Sequence, residues 1–356
     1  MPDAIVQPKE GLRLRAQPST TGKILITIPY GSGIILLDNQ IIESNGYHWM
    51  HAKYNGVAGW LAGEYIKQAP PMPSKSDFKF GVHVYPQTGL DASQNANQSL
   101  LETSERLHNQ KRPLSFTILE DVGLANQLAK WANVLVYRPY DNSRIEISDN
   151  YNEAIVQGEN WARKFNDKLH SLVNLNNIYI QLTNEGDNCD TKHKNFGAFN
   201  LGIMLQLERY SRKGVIFNDS VGTPESNHIV ERDAAIKHAI ANGHVIGYHA
   251  YGKPDFDLSN KDSDNVKWYA RRYEWLYAAY PNIKIVLNEA GRFNADFIST
   301  QNTVNDMRAF NDVVKLDKRI LCVNWWQYNG QGTPDWGKSA FNVALPSIEN
   351  MISKYV

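Results

Sequence analysis

Eight short apolar runs, spaced by longer stretches of helical period, fill the chain from residue 78 onward. They read FGVHVYP (80–86), LSFTIL (114–119), NVLVYRP (133–139), NIYIQLTNE (177–185), GVIFND (214–219), HVIGYHAYG (244–252), IKIVLNEAG (283–291) and ILCVNWWQYNG (320–330). Between them lie helix candidates at 152–172, 200–213, 229–243, 265–280 and 303–315, with apolar residues at three- and four-residue spacing. Gly214, Gly243 and Pro281 stand where such helices should stop. Eight strand-then-helix units over about 280 residues predict a closed (β/α)₈ barrel spanning 78–356. The competing doubly wound sheet would open on a glycine-rich turn, and VYPQTG after the first strand is not one.

Upstream the texture differs. Residues 68–77, with Pro70, Pro71 and Pro73 among small and charged neighbours, can neither extend a helix nor pair inside a sheet, and are expected to be a linker. Residues 1–67 alternate short β-rich runs with Gly, Pro and Asn-Gly turns, the pattern of a small all-β barrel. Asn55-Gly56 is a hairpin signal between Tyr54 and Trp60.

In a (β/α)₈ barrel the working side chains stand at the carboxyl ends of the strands. Applied here, that rule collects His83 (strand 1), Arg138 (strand 3), Asn184 and Glu185 (strand 4), and Asn218 and Asp219 (strand 5). It adds His249 and Tyr251 (strand 6), Asn288 and Glu289 (strand 7), and Trp325, Trp326 and Gln327 (strand 8). Strands 4 and 7 lie nearly opposite in a ring of eight, so Glu185 and Glu289 should face each other across the mouth. Period-two alternation puts Tyr179, Gln181, Thr183 and Glu185 on the lumen face, and Ile178, Ile180 and Leu182 against the helices. Carboxyl groups about 5–5.5 Å apart suit retaining glycoside hydrolysis, whereas about 6.5–9.5 Å suits inversion. A nucleophilic carboxylate must stay ionised, so a cation such as Arg138 or a donor such as Tyr251 beside Glu289 would hold its pKa down. The acid must begin its cycle protonated, which asks for a drier or more negative setting around Glu185.

Two resemblances sharpen this reading. Residues 10–67 resemble a bacterial SH3-type domain, which implies a module for cell-wall peptides or glycans. The barrel, with Asn-Glu ending strand 4 and Glu ending strand 7, resembles clan A of the glycoside hydrolases, and His-Ala-Tyr at 249–251 is similar to the His-x-Tyr of strand 6 in its family 5. The resemblance implies Glu185 as acid/base, Glu289 as nucleophile, and Asn184 as partner of the sugar 2-hydroxyl. It implies Tyr251 as the hydroxyl that steadies the nucleophile, with His249 near the acid/base. Asn-Trp-Trp at 324–326 fits the strand-8 tryptophan that floors a sugar subsite, with Trp325 and Trp326 both open. Family 5 places a mouth arginine after strand 2; here Arg138 after strand 3 is the similar residue. His83 is a candidate substrate contact or a core histidine.

Composition excludes other classes. Lys plus Arg equals Asp plus Glu at 37 each, so nothing draws a polyanion such as a nucleic acid. No apolar run approaches the roughly 20 residues of a membrane span. The start MPDAIVQPKEGLR lacks a secretory apolar core, so the chain reads as unsecreted or trimmed of a leader. Cys189 and Cys322 are expected as free thiols. The segment EGDNCDTKHKN (185–195) fits no zinc spacing, so neither metal nor cofactor is expected. The expectation is a monomeric, retaining glycoside hydrolase acting on a β-linked poly- or oligosaccharide of peptidoglycan or surface-glycan type, extracellular or at the cell envelope. The alternatives are an inactive carbohydrate- or wall-binding protein and a barrel hydrolase of other chemistry, such as a wall amidase.

Overall fold

The computed structural model describes residues 4–68, 79–84, 92–141, 145–186, 192–252, 263–292, 300–328 and 350. The chain divides into two compact units, residues 1–74 with 173–176, and residues 75–172 with 177–356. The expected linker and Cys189 fall outside the described residues.

The first unit is an antiparallel sheet of seven strands: β1 (Ala4–Val6), β2 (Leu12–Arg15), β3 (Ile24–Ile28), β4 (Gly33–Ser44), β5 (Tyr47–Tyr54), β6 (Val57–Ala62) and β7 (Ile66–Gln68). Their spatial order is β3-β2-β6-β5-β4-β1-β7. Asn55 and Gly56 both have positive φ, 46° and 83°, which matches the twist of the β5–β6 hairpin they close. Asn45-Gly46 does the same between β4 and β5, a second hairpin signal that the sequence reading passed over. Alternation drives the core: Leu12 and Leu14 point inward while Arg13 points out. They meet Ala4, Val6, Ile28, Ile34, Ala52 and Leu61 in one apolar cluster.

The second unit is a closed barrel of eight parallel strands: β8 (Phe80–Val84), β9 (Ser115–Leu119), β10 (Leu135–Arg138), β11 (Ile178–Gln181), β12 (Lys213–Asp219), β13 (Val245–Gly252), β14 (Ile285–Arg292) and β15 (Ile320–Tyr328). Pairing of Val323 with Phe80 and Trp325 with Val82 closes the ring. Every residue of β8, β9 and β13 is buried, as expected of strands covered on both faces. Val134, Val136, Val215, Val245, Val286 and Cys322, with Tyr179 packed on them, come from six strands and fill the lower lumen.

Three expected helices are broken. The 152–172 segment forms Tyr151–Arg163 and Asn166–Ser171, and the 229–243 segment forms Ser226–Glu231 and Asp233–Asn242, separated by Arg232 alone. Gly243 caps the latter at φ 75°. The 265–280 segment winds as a π turn (Val266–Ala270), a 3₁₀ turn (Arg272–Trp275) and a short α-helix (Leu276–Ala279). There the buried Arg272 side chain donates to the Pro224 carbonyl at 3.1 Å. Among the described residues no helix is long and apolar enough to cross a membrane.

Candidate active site

Glu289 sits on β14 directly beside His249 of β13, its register partner. Both side chains face the lumen, as does that of Asn288 one position earlier. Strict alternation forbids two successive inward residues, and the register irregularity between Leu287 and Ala290 supplies the offset. Glu185 lies four residues past the end of β11, on a bend with φ 48°, its backbone N–H donating to the Asn218 carbonyl at 3.2 Å. The sequence reading ran this strand out to residue 185; the left-handed turn ends it earlier.

The two carboxylates meet at one atom. His249 Nδ1 stands 2.8 Å from Glu185 Oε1 and 3.5 Å from Glu289 Oε2. The nearest oxygens of the pair are therefore less than about 6.5 Å apart, at or below the lower edge of the inverting range.

Glu289 is held ionised. Burial pushes its carboxyl up, but the positive charges of His249 and Arg138 outweigh this and leave it below the usual carboxylate range. Arg138, ending β10, donates from Nη1 to Oε1 at 2.7 Å, and Tyr251 donates its hydroxyl to Oε2 at 2.9 Å. Burial and the charge on Glu289 push the Tyr251 phenol well above its ordinary range, so it remains a donor. Gly291 makes room for that ring: a Cβ there would lie 3.3 Å from Tyr251 Cε1. For His249, burial lowers the pKa, yet the charge on Glu289 and the hydrogen bond to Glu185 raise it above the ordinary histidine range. His83, fully buried, is driven down to about 3 chiefly by burial and so is neutral. Its Nε2 is 3.7 Å from Glu289 Oε1, and neither ring nitrogen has a hydrogen-bond partner among the described residues.

Beneath these groups a polar layer crosses the barrel; sequence reasoning placed Gln181 on the lumen face and Asn218 and Asn288 at strand ends, and missed Thr117 and the linkage among them. Asn324 donates to Thr117 Oγ1 at 2.8 Å and Thr117 donates to the Asn288 carbonyl at 3.0 Å. Asn288 donates to Gln181 Oε1 at 2.9 Å and to Asn218 Oδ1 at 3.1 Å. Two glycines inside strands give the amides their space: a Cβ at Gly81 would lie 2.0 Å from Asn324 Oδ1, and one at Gly247 would lie 2.0 Å from Asn218 Oδ1. The available signal was glycine in a strand interior, at FGV and IGY, together with buried polar residues at inward positions.

The remaining candidates separate. Asn184 is exposed beside Glu185. Trp326 lies at the mouth with its ring 4.5 Å from that of His83. Trp325 does not line the mouth: only 3% exposed, it packs edge-on to Phe310 of the helix Thr300–Val314, because adjacent strand residues point to opposite faces. The Gln327 side chain lies outside the described residues. Asp219 is taken up in a buried ion pair with Arg232.

Glu208, His238 and His244, at the opposite end of the barrel, bring three possible metal-ligating atoms within 4.8 Å of one another. Their hydrogen bonds do not suit an ion. The Gly214 N–H donates into His244 Nδ1 at 2.8 Å, which fixes that ring's proton on Nε2, 2.9 Å from Glu208 Oε1. A metal on Nε2 would require the other nitrogen to be the donor.

Residues 10–67 match the bacterial SH3 domain model. No curated protein matches the chain. Among solved structures it is similar to a glucosidase from Croceicoccus marinus, at 8% identity and TM-score 0.50, over 78% of this chain and 67% of that one. It is also similar to a GH5-4 broad-specificity endoglucanase from an uncultured bacterium, at 10% identity and TM-score 0.46, over 80% of this chain and 96% of that one. At such identities the likeness is one of fold. The chain thus carries a bacterial SH3 domain, at residues 10–67, followed by an eight-stranded parallel barrel whose structural neighbours are glycoside hydrolases.

Proposed function

We propose that this chain is a retaining glycoside hydrolase, with Glu289 as nucleophile and Glu185 as acid/base. The observation that carries the reading is the shared contact of both carboxylates with His249 Nδ1, at 2.8 and 3.5 Å, a closeness that favours direct attack by one carboxylate over an attacking water held between them. The asymmetry of the pair supports the assignment. Glu289 is buried, ionised and aimed by Arg138 and Tyr251, whereas the Glu185 side chain is 35% exposed at the rim, where a leaving group departs and water arrives.

In the first half-reaction Glu289 Oε2 attacks the anomeric carbon while Glu185 protonates the departing glycosidic oxygen. His249 Nδ1–H donates to Glu185 Oε1, which leaves Oε2 to carry that proton. Once Glu289 is a neutral ester its negative charge is gone. Glu185, now ionised, accepts a proton from water, which cleaves the ester with a second inversion. Trp326 offers a flat apolar face beside His83 for a sugar ring. The amino-terminal SH3 domain supports a bacterial wall or surface glycan as target, and hence an extracellular or envelope location.

Aryl β-glycosides and purified bacterial walls, followed by proton NMR of the first-formed anomer, test this directly. Retention of configuration, abolished by Glu185→Gln on unactivated substrates and by Glu289→Gln on all, is expected. An inverted product would reject double displacement. Wild type and both variants behaving alike on every glycan would make the barrel a binding protein.

A further inference from the structure

We propose that Arg232, outside the catalytic set, is a positioning residue for Glu185, its guanidinium clamping the chain segments that fix the left-handed backbone at that residue. The proposal rests on the glycosidase reading above.

Arg232 occupies the one-residue break between the helices Ser226–Glu231 and Asp233–Asn242, and is 1% exposed. Its Nη1 donates to Asp219 Oδ1 at 2.5 Å and its Nη2 to His193 Nδ1 at 2.7 Å. Its guanidinium carbon lies 4.9 Å from the ring centroids of both Phe196 and Phe217, which stand 5.6 Å from each other.

Each partner leads back to Glu185. The Phe196 ring fills the place where a side chain at residue 186 would go: a Cβ on Gly186 would lie 2.5 Å from its Cε2. The ring therefore packs directly against the residue that follows Glu185 and excludes any side chain there. Phe217 and Asn218 are both left-handed, at φ 66° and 53°, and that conformation delivers the Asn218 carbonyl to the Glu185 N–H. His193 opens the helix that carries Phe196. Gly197 of that helix lets it close on the arginine, since a Cβ there would lie 3.3 Å from the Arg232 Cα. Three departures from ordinary backbone, at Glu185 and at the adjacent Phe217 and Asn218, persist only where their surroundings over-determine them, and Arg232 is what those surroundings share.

Stability alone does not account for an arginine here. Buried ion pairs replaced by apolar groups of similar volume are often neutral or stabilising. Arg232 Nε, moreover, has no hydrogen-bond partner among the described residues. A methionine would fill the slot between the two phenylalanines and release Asp219 and His193.

A misplaced acid/base has a signature that a loosened fold lacks: harm falls on substrates whose leaving group needs protonation. The test is a series of aryl β-glycosides, from 2,4-dinitrophenyl to 4-methylphenyl, of a glycon that wild type hydrolyses, assayed with Arg232→Met. Its kcat/KM should fall at least about tenfold on 4-methylphenyl and under about threefold on dinitrophenyl glycosides, with turnover of the latter accelerated by azide, which attacks the ester without a general base. Gly186→Ala, which alters no charge, should steepen the leaving-group dependence in the same way and carries the test if near-UV circular dichroism shows Arg232→Met unfolded. An equal loss on every leaving group, or no loss, would overturn the proposal. A wild type inert on all glycosides overturns the parent reading first, and this one with it.

Discussion

The two ends of the barrel lumen are built from the same strands and differ in almost everything else. At the base, Val136, Val215, Val245, Val286 and Cys322 interdigitate without a charge among them, and burial pushes the Cys322 thiol up to about 12, leaving it an inert filler. At the mouth, Arg138, His249 and Glu289 crowd charge into the same cylinder. Left-handed residues appear at Glu185, Phe217 and Asn218, and the strand register slips between Ile216 and Asp219, Gly247 and His249, and Leu287 and Ala290, against one slip toward the base, between Ile285 and Val286, among the described residues. Irregular backbone of this kind costs free energy. The closed, apolar base is what lets the mouth carry it, and the polar layer of Asn288, Asn218, Gln181 and Thr117 joins the two.

This division can be broken by single substitutions. Glu289→Gln removes the proposed nucleophilic oxygen and should lower kcat about 10⁴-fold or more. No substitution at the base should approach that loss. Arg138→Met comes next: without the cation 2.7 Å from Oε1, Glu289 holds its proton to higher pH. The acidic limb of the kcat/KM profile should therefore move up in pH, with a loss of about 10–100-fold at its plateau, as expected when a charge-assisted bond to a reacting group is removed. An unmoved limb would mean that Arg138 does not set the ionisation of Glu289.

How far this site could be read from sequence follows the same division. Counting strands found the rim, because the rule that barrel chemistry sits at strand ends needs only order. Glu289, Tyr251, His249 and Arg138 are brought together as that order requires. The slips in register were not legible: period-two alternation cannot put Asn288 and Glu289 on one face, and nothing in NEAG announces a bulge. Nor could alternation choose between Trp325 and Trp326 without knowing the register of β15, whose outward residue meets Phe310. Arg232 was hidden differently. In IVERDAAIKHAIANG it looks like any surface charge on an amphipathic helix, and only its pairing with Asp219, thirteen residues earlier, draws it inward.

Stability should also distinguish the two ends, through pH. The folded protein raises the pKa of His249, so the stability this gives is fully present below the unfolded value near 6.5 and is lost as pH rises through the folded value. Glu289 works in the opposite sense. Its folded pKa is depressed, so its contribution is present above the unfolded carboxylate value and is lost as pH falls through the folded one. Between those windows the pair is at its most stabilising. Above about pH 7.5, where the buried neutral His83, His193 and His244 no longer take up protons on unfolding, thermal unfolding followed to pH 9 should therefore show a falling midpoint in wild type. His249→Asn should flatten that fall, and an unchanged slope would show that His249 is not held protonated.

The base offers the smallest functional effect. Val286→Ala deletes two methyl groups from a site with neighbours from five other strands, so the surroundings cannot collapse into the space. Transfer and cavity together should cost about 2 kcal/mol. In a domain of this size that lowers the unfolding midpoint by about 4–8 °C. The mouth groups keep their partners, so kcat and its pH profile should stay within about twofold of wild type at temperatures well below the transition. A loss of activity larger than that, in a protein still folded, would mean that the valine layer positions Glu289 through the strand they share, and that the barrel does not keep its scaffold and its chemistry apart.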